Sequence, residues 1–177
     1  SYSTDVLGHL ISVIEGKPLA QVLHERIFAP LGMAETSYFV SPEKRHRILP
    51  VFGDAVLVPG VSKPVSVGGG ALHYGAPQMI YPADNPQFER GGLGLFSSLK
   101  DYVKAARFLL TGRDAGGNRM ISKAGVAALW TNRLPEAQMP ISIRAMPKYR
   151  GYGYGLGGRV MVEPQMSPFY AVKGECG

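Results

Sequence analysis

One cysteine, Cys176, stands in 177 residues. That excludes an internal disulfide framework and any cysteine-based metal site, and it is compatible with either cytoplasm or periplasm. No window approaches the run of about 18 apolar residues that a membrane-spanning helix requires. The nucleophile elbow G-x-S-x-G is missing, which argues against an α/β-hydrolase. His9, His24, His46 and His73 do not pair at metal-ligand spacing, and His9 and His24 lie off the apolar stripes of their helices, as surface residues do. No internal repeat is found. The net charge of +6 is spread along the chain, with only "EKRHR" (43–47) dense. Without a basic stripe interleaved with aromatics this is a solvated loop, and no nucleic-acid partner is expected.

What is present describes a globular chain: 45% apolar and 18% charged residues, with Gly 23 and Pro 14 forcing irregular segments between regular elements. Val6, Leu7, Leu10, Ile11 and Ile14 fall at helical spacing, with Ser3 or Thr4 as cap, Asp5 in the first turn and Gly16 as the stop. Pro18 as first helical residue and Leu19, Val22, Leu23 and Ile27 predict a second helix closed by Pro30, so that the two form a hairpin at Gly16–Lys17. From Ser41 to Arg90 prolines interrupt everything. Only 55–60 and 61–67 look strand-like, edge-like at best, and so long an irregular stretch is expected to wrap a site. Ser98 and Asp101 have capping-box spacing before a helix whose apolar face is Leu99, Tyr102, Val103, Ala106 and Leu110, stopped by Gly112. Ser122 caps another, with Val126, Leu129 and Trp130 inward. Two strands, 152–164 and 167–177, are expected around a turn at Pro164–Pro168.

Two local motifs carry little. "GYGLGG" (153–158) matches G-x-G-x-x-G, but a dinucleotide site needs a helix after it, and here a β-like run follows. Glycines that let a strand bend or pass close to neighbouring backbone explain it better. S-x-x-K occurs as "SPEK" (41–44) and "SSLK" (97–100). A nucleophile needs a buried, lowered-pKa lysine beside the hydroxyl. The first is too charged to be buried, and Ser98 in the second is the helix cap.

The order of segments is more specific. "STDVLGHLISVIEGKPLAQVLHERIFAPLGMAETSYFV" closely resembles the stretch after the active-site tyrosine of serine β-lactamase-like hydrolases: class C β-lactamases, D-Ala-D-Ala peptidases (penicillin-binding proteins) and family VIII carboxylesterases. "GGLGLFSSLKDYVKAARFLLTGR" resembles that family's Gly-Gly-x-Gly-Leu-x-Ser-x-x-x-Asp helix, and "GYGYGLGGRVMV" the strands leading to its last catalytic element. The resemblance runs in order over residues 1–177 and is loosest between 41 and 90. It implies an α+β fold, a helical subdomain plus an antiparallel sheet covered by helices, incomplete at both ends here. Residues 1–150 would supply helices and loops, and 151–177 sheet strands.

The resemblance also implies acyl transfer through a Ser-x-x-Lys nucleophile, a tyrosine motif and a third element such as Trp-Gly-Gly, without cofactor or metal. None of the three is expected intact in this chain. The esterase-like spacing Tyr-Ser-x-x-x-Asp-x-x-Gly, registered on Asp5 and Gly8, makes Ser1 the motif serine and places the tyrosine just before it. Ser1 and Tyr2 then line the substrate cleft. Read instead as a "YST" motif, Tyr2 itself is the alternative base. "KGECG" looks like the run-up to Trp-Gly-Gly. The expected parent is a carboxylesterase-like enzyme acting on a small ester or amide. The alternatives are a β-lactamase, a D-amino-acid peptidase, or a non-catalytic cell-wall-associated binding homologue. The 177 residues alone are expected to be inactive.

Overall fold

A computed structural model describes residues 2–49, 51–53, 63–67, 70–75, 88–139, 150–167, 172–174 and 176, with side chains of 51–75 left aside. The chain divides into two units, Ser1–Tyr102 and Val103–Gly177. Among the described residues no helix is long and apolar enough to cross a membrane.

The first unit opens with helix α1, Tyr2–Glu15. It begins upstream of the expected caps, so Ser3 and Thr4 are helical rather than capping. Gly16 ends it at φ 63, where a side chain would be strained. Pro18 then serves as N-cap, one position earlier than expected, for α2, Leu19–Leu23. The helix continues through a π turn, His24–Phe28, into α3, Ala29–Leu31. Pro30 therefore does not close it. The wide π turn lets the Ala29 N–H reach His24 O five residues back, ahead of the proline that has no N–H to give. Closure comes at Gly32, with φ 66. Leu19, Val22, Phe28, Leu31, Met33 and Tyr38 are buried and form this unit's core.

The apolar stripe of α1 is not its packed face. Val6, Leu7, Leu10 and Ile14 are exposed, Ile14 by 72%, whereas Asp5 and Gly8 are buried. The packed face is small and polar. A Cβ on Gly8 would stand 2.8 Å from Leu19 Cδ2 and 2.9 Å from Gly91 Cα, so only glycine admits both neighbours.

A 3-10 helix, Pro42–Arg47, follows. Next, the edge-like strand expected at 61–67 is present, and the irregular chain expected around it is corrected to include two more strands. Strands β1 (Val51–Gly53), β2 (Lys63–Val67) and β3 (Gly70–Gly75) form an antiparallel sheet in the order β1-β3-β2, with Val65 opposite Leu72. Pro64 lies in an edge strand, where its missing N–H is tolerated. The expected strand at 55–60 lies outside the described residues. Helix α4, Leu99–Thr111, starts in this unit. Its buried residues are Asp101 and Phe108, while Leu99, Tyr102, Val103 and Leu110 are exposed, again opposite to the apolar pattern.

In the second unit α5, Lys123–Leu129, is capped as expected: Ser122 Oγ accepts from Gly125 N at 3.0 Å. Trp130 Nε1 donates to Leu109 O at 2.9 Å. The strand expected at 152–164 is corrected to a tight hairpin, β4 (Tyr152–Tyr154) antiparallel to β5 (Arg159–Met161), while much of the strand expected at 167–177 lies outside the described residues. Residues 164–166 turn as a 3-10 helix, and Cys176 makes an isolated antiparallel bridge to Val160. Among the described residues of this unit, Phe108, Tyr152, Val160 and Met161 are the buried large apolar ones.

Candidate functional site

The first turn of α1 is the part of the chain that the motif register singles out. Tyr2 is the first residue of α1 and is exposed. Ser1 lies outside the described residues. Beneath this turn, the Asp5 carboxylate is 8% exposed and both its oxygens are taken. Arg90 donates to Oδ2 from Nε at 3.1 Å and Nη2 at 2.8 Å, and Gly92 N donates to Oδ1 at 3.1 Å. The Arg90 hydrogen bond holds the Asp5 carboxyl below its usual range against the opposing effect of burial, and Gly92 adds to it.

Four consecutive residues tie this arrangement together. Glu89 Oε2 accepts from Ala20 N at 2.7 Å, satisfying a free N–H in the first turn of α2. Arg90 O accepts from the Tyr38 hydroxyl. Gly91 packs its main chain against Thr4 and Gly8. Tyr38 is buried and its phenol is pushed up to about 12, by desolvation first and then by the negative charges of Glu89 and Asp5. Asp5 and Gly8 were legible from their spacing. Glu89, Arg90 and Tyr38 were not, although a carboxylate buried on a helix demands a cationic partner somewhere in the chain.

A second network lies in the same unit. Asp101, 2% exposed, accepts from Glu35 N at 2.7 Å and from Thr36 Oγ1 at 3.2 Å. Ser98 Oγ accepts from Asp101 N at 3.3 Å, so the serine half of the capping box forms while the aspartate reaches the 35–36 loop. The hydroxyl of Ser97 meets Thr36 Oγ1 at 2.7 Å, and that of Ser41 bonds the Glu43 carboxylate. Both S-x-x-K serines thus have structural partners other than their lysines. Around these loops opens a cleft of about 570 Å³, whose lining includes Phe39, Lys44, Leu95 and the Arg47–Glu35 ion pair at 2.5 Å.

In the second unit "GYGLGG" is a packing motif. A Cβ would stand 2.3 Å from Asn132 Oδ1 at Gly153 and 2.1 Å from Leu129 O at Gly155. Asn132 Oδ1 accepts from both Leu134 N and Tyr154 N. Among the described residues no group of three or more His, Cys, Asp or Glu could hold a metal ion.

The helices with small antiparallel sheets place the chain in the β-lactamase/transpeptidase-like fold. EstCE1, described as a hydrolase with promiscuous acyltransferase activity, superposes with a TM-score of 0.71 at 23% identity, over 98% of this chain and 43% of its own. A family model for beta-lactamase matches residues 1–169, and the chain belongs to that family. Protein Rv1367c of Mycobacterium tuberculosis is 30% identical over 167 residues, 94% of this chain and 38% of that protein. Esterase EstB of Burkholderia gladioli is 30% identical over 110 residues, 59% of this chain and 27% of that protein. The chain thus spans well under half the length of these relatives.

Proposed function

We propose that the protein carrying this chain is a serine hydrolase that cleaves esters through an acyl-enzyme. In that reading a serine hydroxyl outside residues 1–177 attacks the ester carbonyl carbon. Its proton passes by way of lysine and tyrosine to the departing alcohol, and water then releases the acid and restores the serine. Backbone N–H groups hold the oxyanion. The tyrosine takes the position before Ser1, and Ser1 and Tyr2 line the cleft beside it.

The observation that carries the reading is the part played by Asp5 and Gly8. The esterase-like register is anchored on these two residues, and they form the face by which α1 is packed. The similarity to an esterase at 30% identity supports esters over β-lactams. The isolated 177 residues are proposed to be inactive, because both local S-x-x-K serines are bound into structural contacts.

Substrate profiling of the full-length protein tests this. We expect turnover of p-nitrophenyl esters in preference to a chromogenic β-lactam, and none above buffer from the isolated chain. A preference for the β-lactam would move the reading to a β-lactamase. Robust ester turnover by the isolated chain would remove the claim that the nucleophile lies elsewhere.

A further inference from the structure

An aspartate in the first helical turn ordinarily serves its own helix, by accepting from free N–H groups or by facing the positive end of the dipole. Asp5 does something else with its oxygens. One receives the two-pronged Arg90 fork, and the other the Gly92 N–H. Such a pair fixes orientation as well as distance, because the guanidinium is planar and its two donors are rigidly spaced. Gly91, between the two donors, brings its main chain so close to Thr4 that no side chain fits. The apolar residues of the same two turns, Val6 and Leu7, are exposed. The polar face therefore provides the packing that sets the rotation of this end of α1 within its unit.

Tyr2, the first residue of α1, precedes Asp5 by three positions, so the two are neighbours one turn apart on the helix surface. We propose that Asp5 is a positioning residue which, through Arg90 and Gly92, fixes the N-terminal turn of α1 and thereby the tyrosine next to it. The inference rests on the assignment of that tyrosine to the position before Ser1. Without the clamp the first turn loses the contact that fixes its orientation and is left to the helix end, where fraying begins. A displacement of about 1 Å in a proton-transferring group costs on the order of a hundredfold in rate.

The test is kinetic and uses the full-length protein with a p-nitrophenyl ester. Asp5→Ala is expected to lower kcat by about a hundredfold, with a much smaller rise in KM from the looser placement of Ser1 and Tyr2. Asp5→Asn keeps an acceptor and should recover part of the loss. Arg90→Gln should match Asp5→Ala, and the double variant should be no slower than the slower single one, because both remove one coupling.

A folded Asp5→Ala protein with wild-type kcat overturns the proposal. So does a loss that merely follows the fraction of folded protein. Amide hydrogen exchange in residues 3–7 separates this failure from failure of the ester reading. If the wild-type protein turns over no ester, the catalytic role falls with that reading. Unchanged exchange in Asp5→Ala then removes the clamp as well, and faster exchange leaves a clamp with no part in catalysis.

Discussion

Replacing Gly91 by alanine probes the packing of α1 with a single methyl group. The new Cβ would stand 2.0 Å from Thr4 O, 2.9 Å from Thr4 C and 3.1 Å from Gly8 N. Cβ contacts under 3.0 Å essentially never occur, so roughly an ångström of separation has to be created between two stretches of main chain. Neither neighbour is a side chain that can rotate away. Moving residue 91 outward also stretches the bonds that Arg90 and Gly92 make to Asp5. Gly91 is not in the left-handed region, so the cost is overlap rather than backbone strain. Overpacking typically costs about 1–3 kcal/mol, and this case belongs at the upper end. The assay is guanidinium unfolding of the full-length protein followed by circular dichroism. Gly117→Ala serves as a counterpart: φ is +87 and nothing lies within 4 Å, leaving only left-handed strain of about 1 kcal/mol. Gly91→Ala within about 0.5 kcal/mol of wild type, the range of an inert surface change, would refute the packing described. So would a smaller loss than at Gly117.

Asp101→Ala should cost about 1–3 kcal/mol by leaving the Glu35 N–H and Thr36 hydroxyl without their acceptor, measured by the same unfolding curves. Tyr38 should titrate late, at about pH 12, in a phenolate absorbance titration, and Tyr38→Phe should abolish that step. The sign for stability follows. Above its ordinary value of 10.0 the unfolded phenol ionises while the folded one does not, so the contribution is full below pH 10 and lost towards 12. The isolated 177-residue chain should self-associate and bind a hydrophobic dye through the apolar faces of α1 and α4, read by size-exclusion chromatography and fluorescence. A monomeric, cooperatively melting, dye-silent sample would contradict this.

Periodicity located all three longer helices, and capping chemistry placed Ser98 and Ser122, because both signals are local and sit in consecutive residues. What these signals did not carry was the facing of α1 and α4. A hydrophobic pattern identifies an apolar stripe, but Asp5, Gly8 and Asp101 are buried through hydrogen bonds and close backbone approach. The partners of the two aspartates lie far along the chain: Arg90 is 85 residues from Asp5 and Glu35 is 66 from Asp101. Pairings at that separation leave no periodic trace. Strands β1 and β3 escaped notice for a related reason, since glycine and proline in 51–75 suppress strand propensity while antiparallel pairing overrides it. The family was legible only as order and spacing. The Asp5–Gly8 register marked a turn of α1 whose packing the structure then explained.

The most direct measurement is intact mass spectrometry of the full-length protein during turnover of a slowly deacylating p-nitrophenyl ester. Ester hydrolysis through an acyl-enzyme predicts a burst of nitrophenolate and one added acyl group, mapping to a serine outside residues 1–177. Steady turnover without any adduct, or an adduct on Ser41 or Ser97, would contradict it.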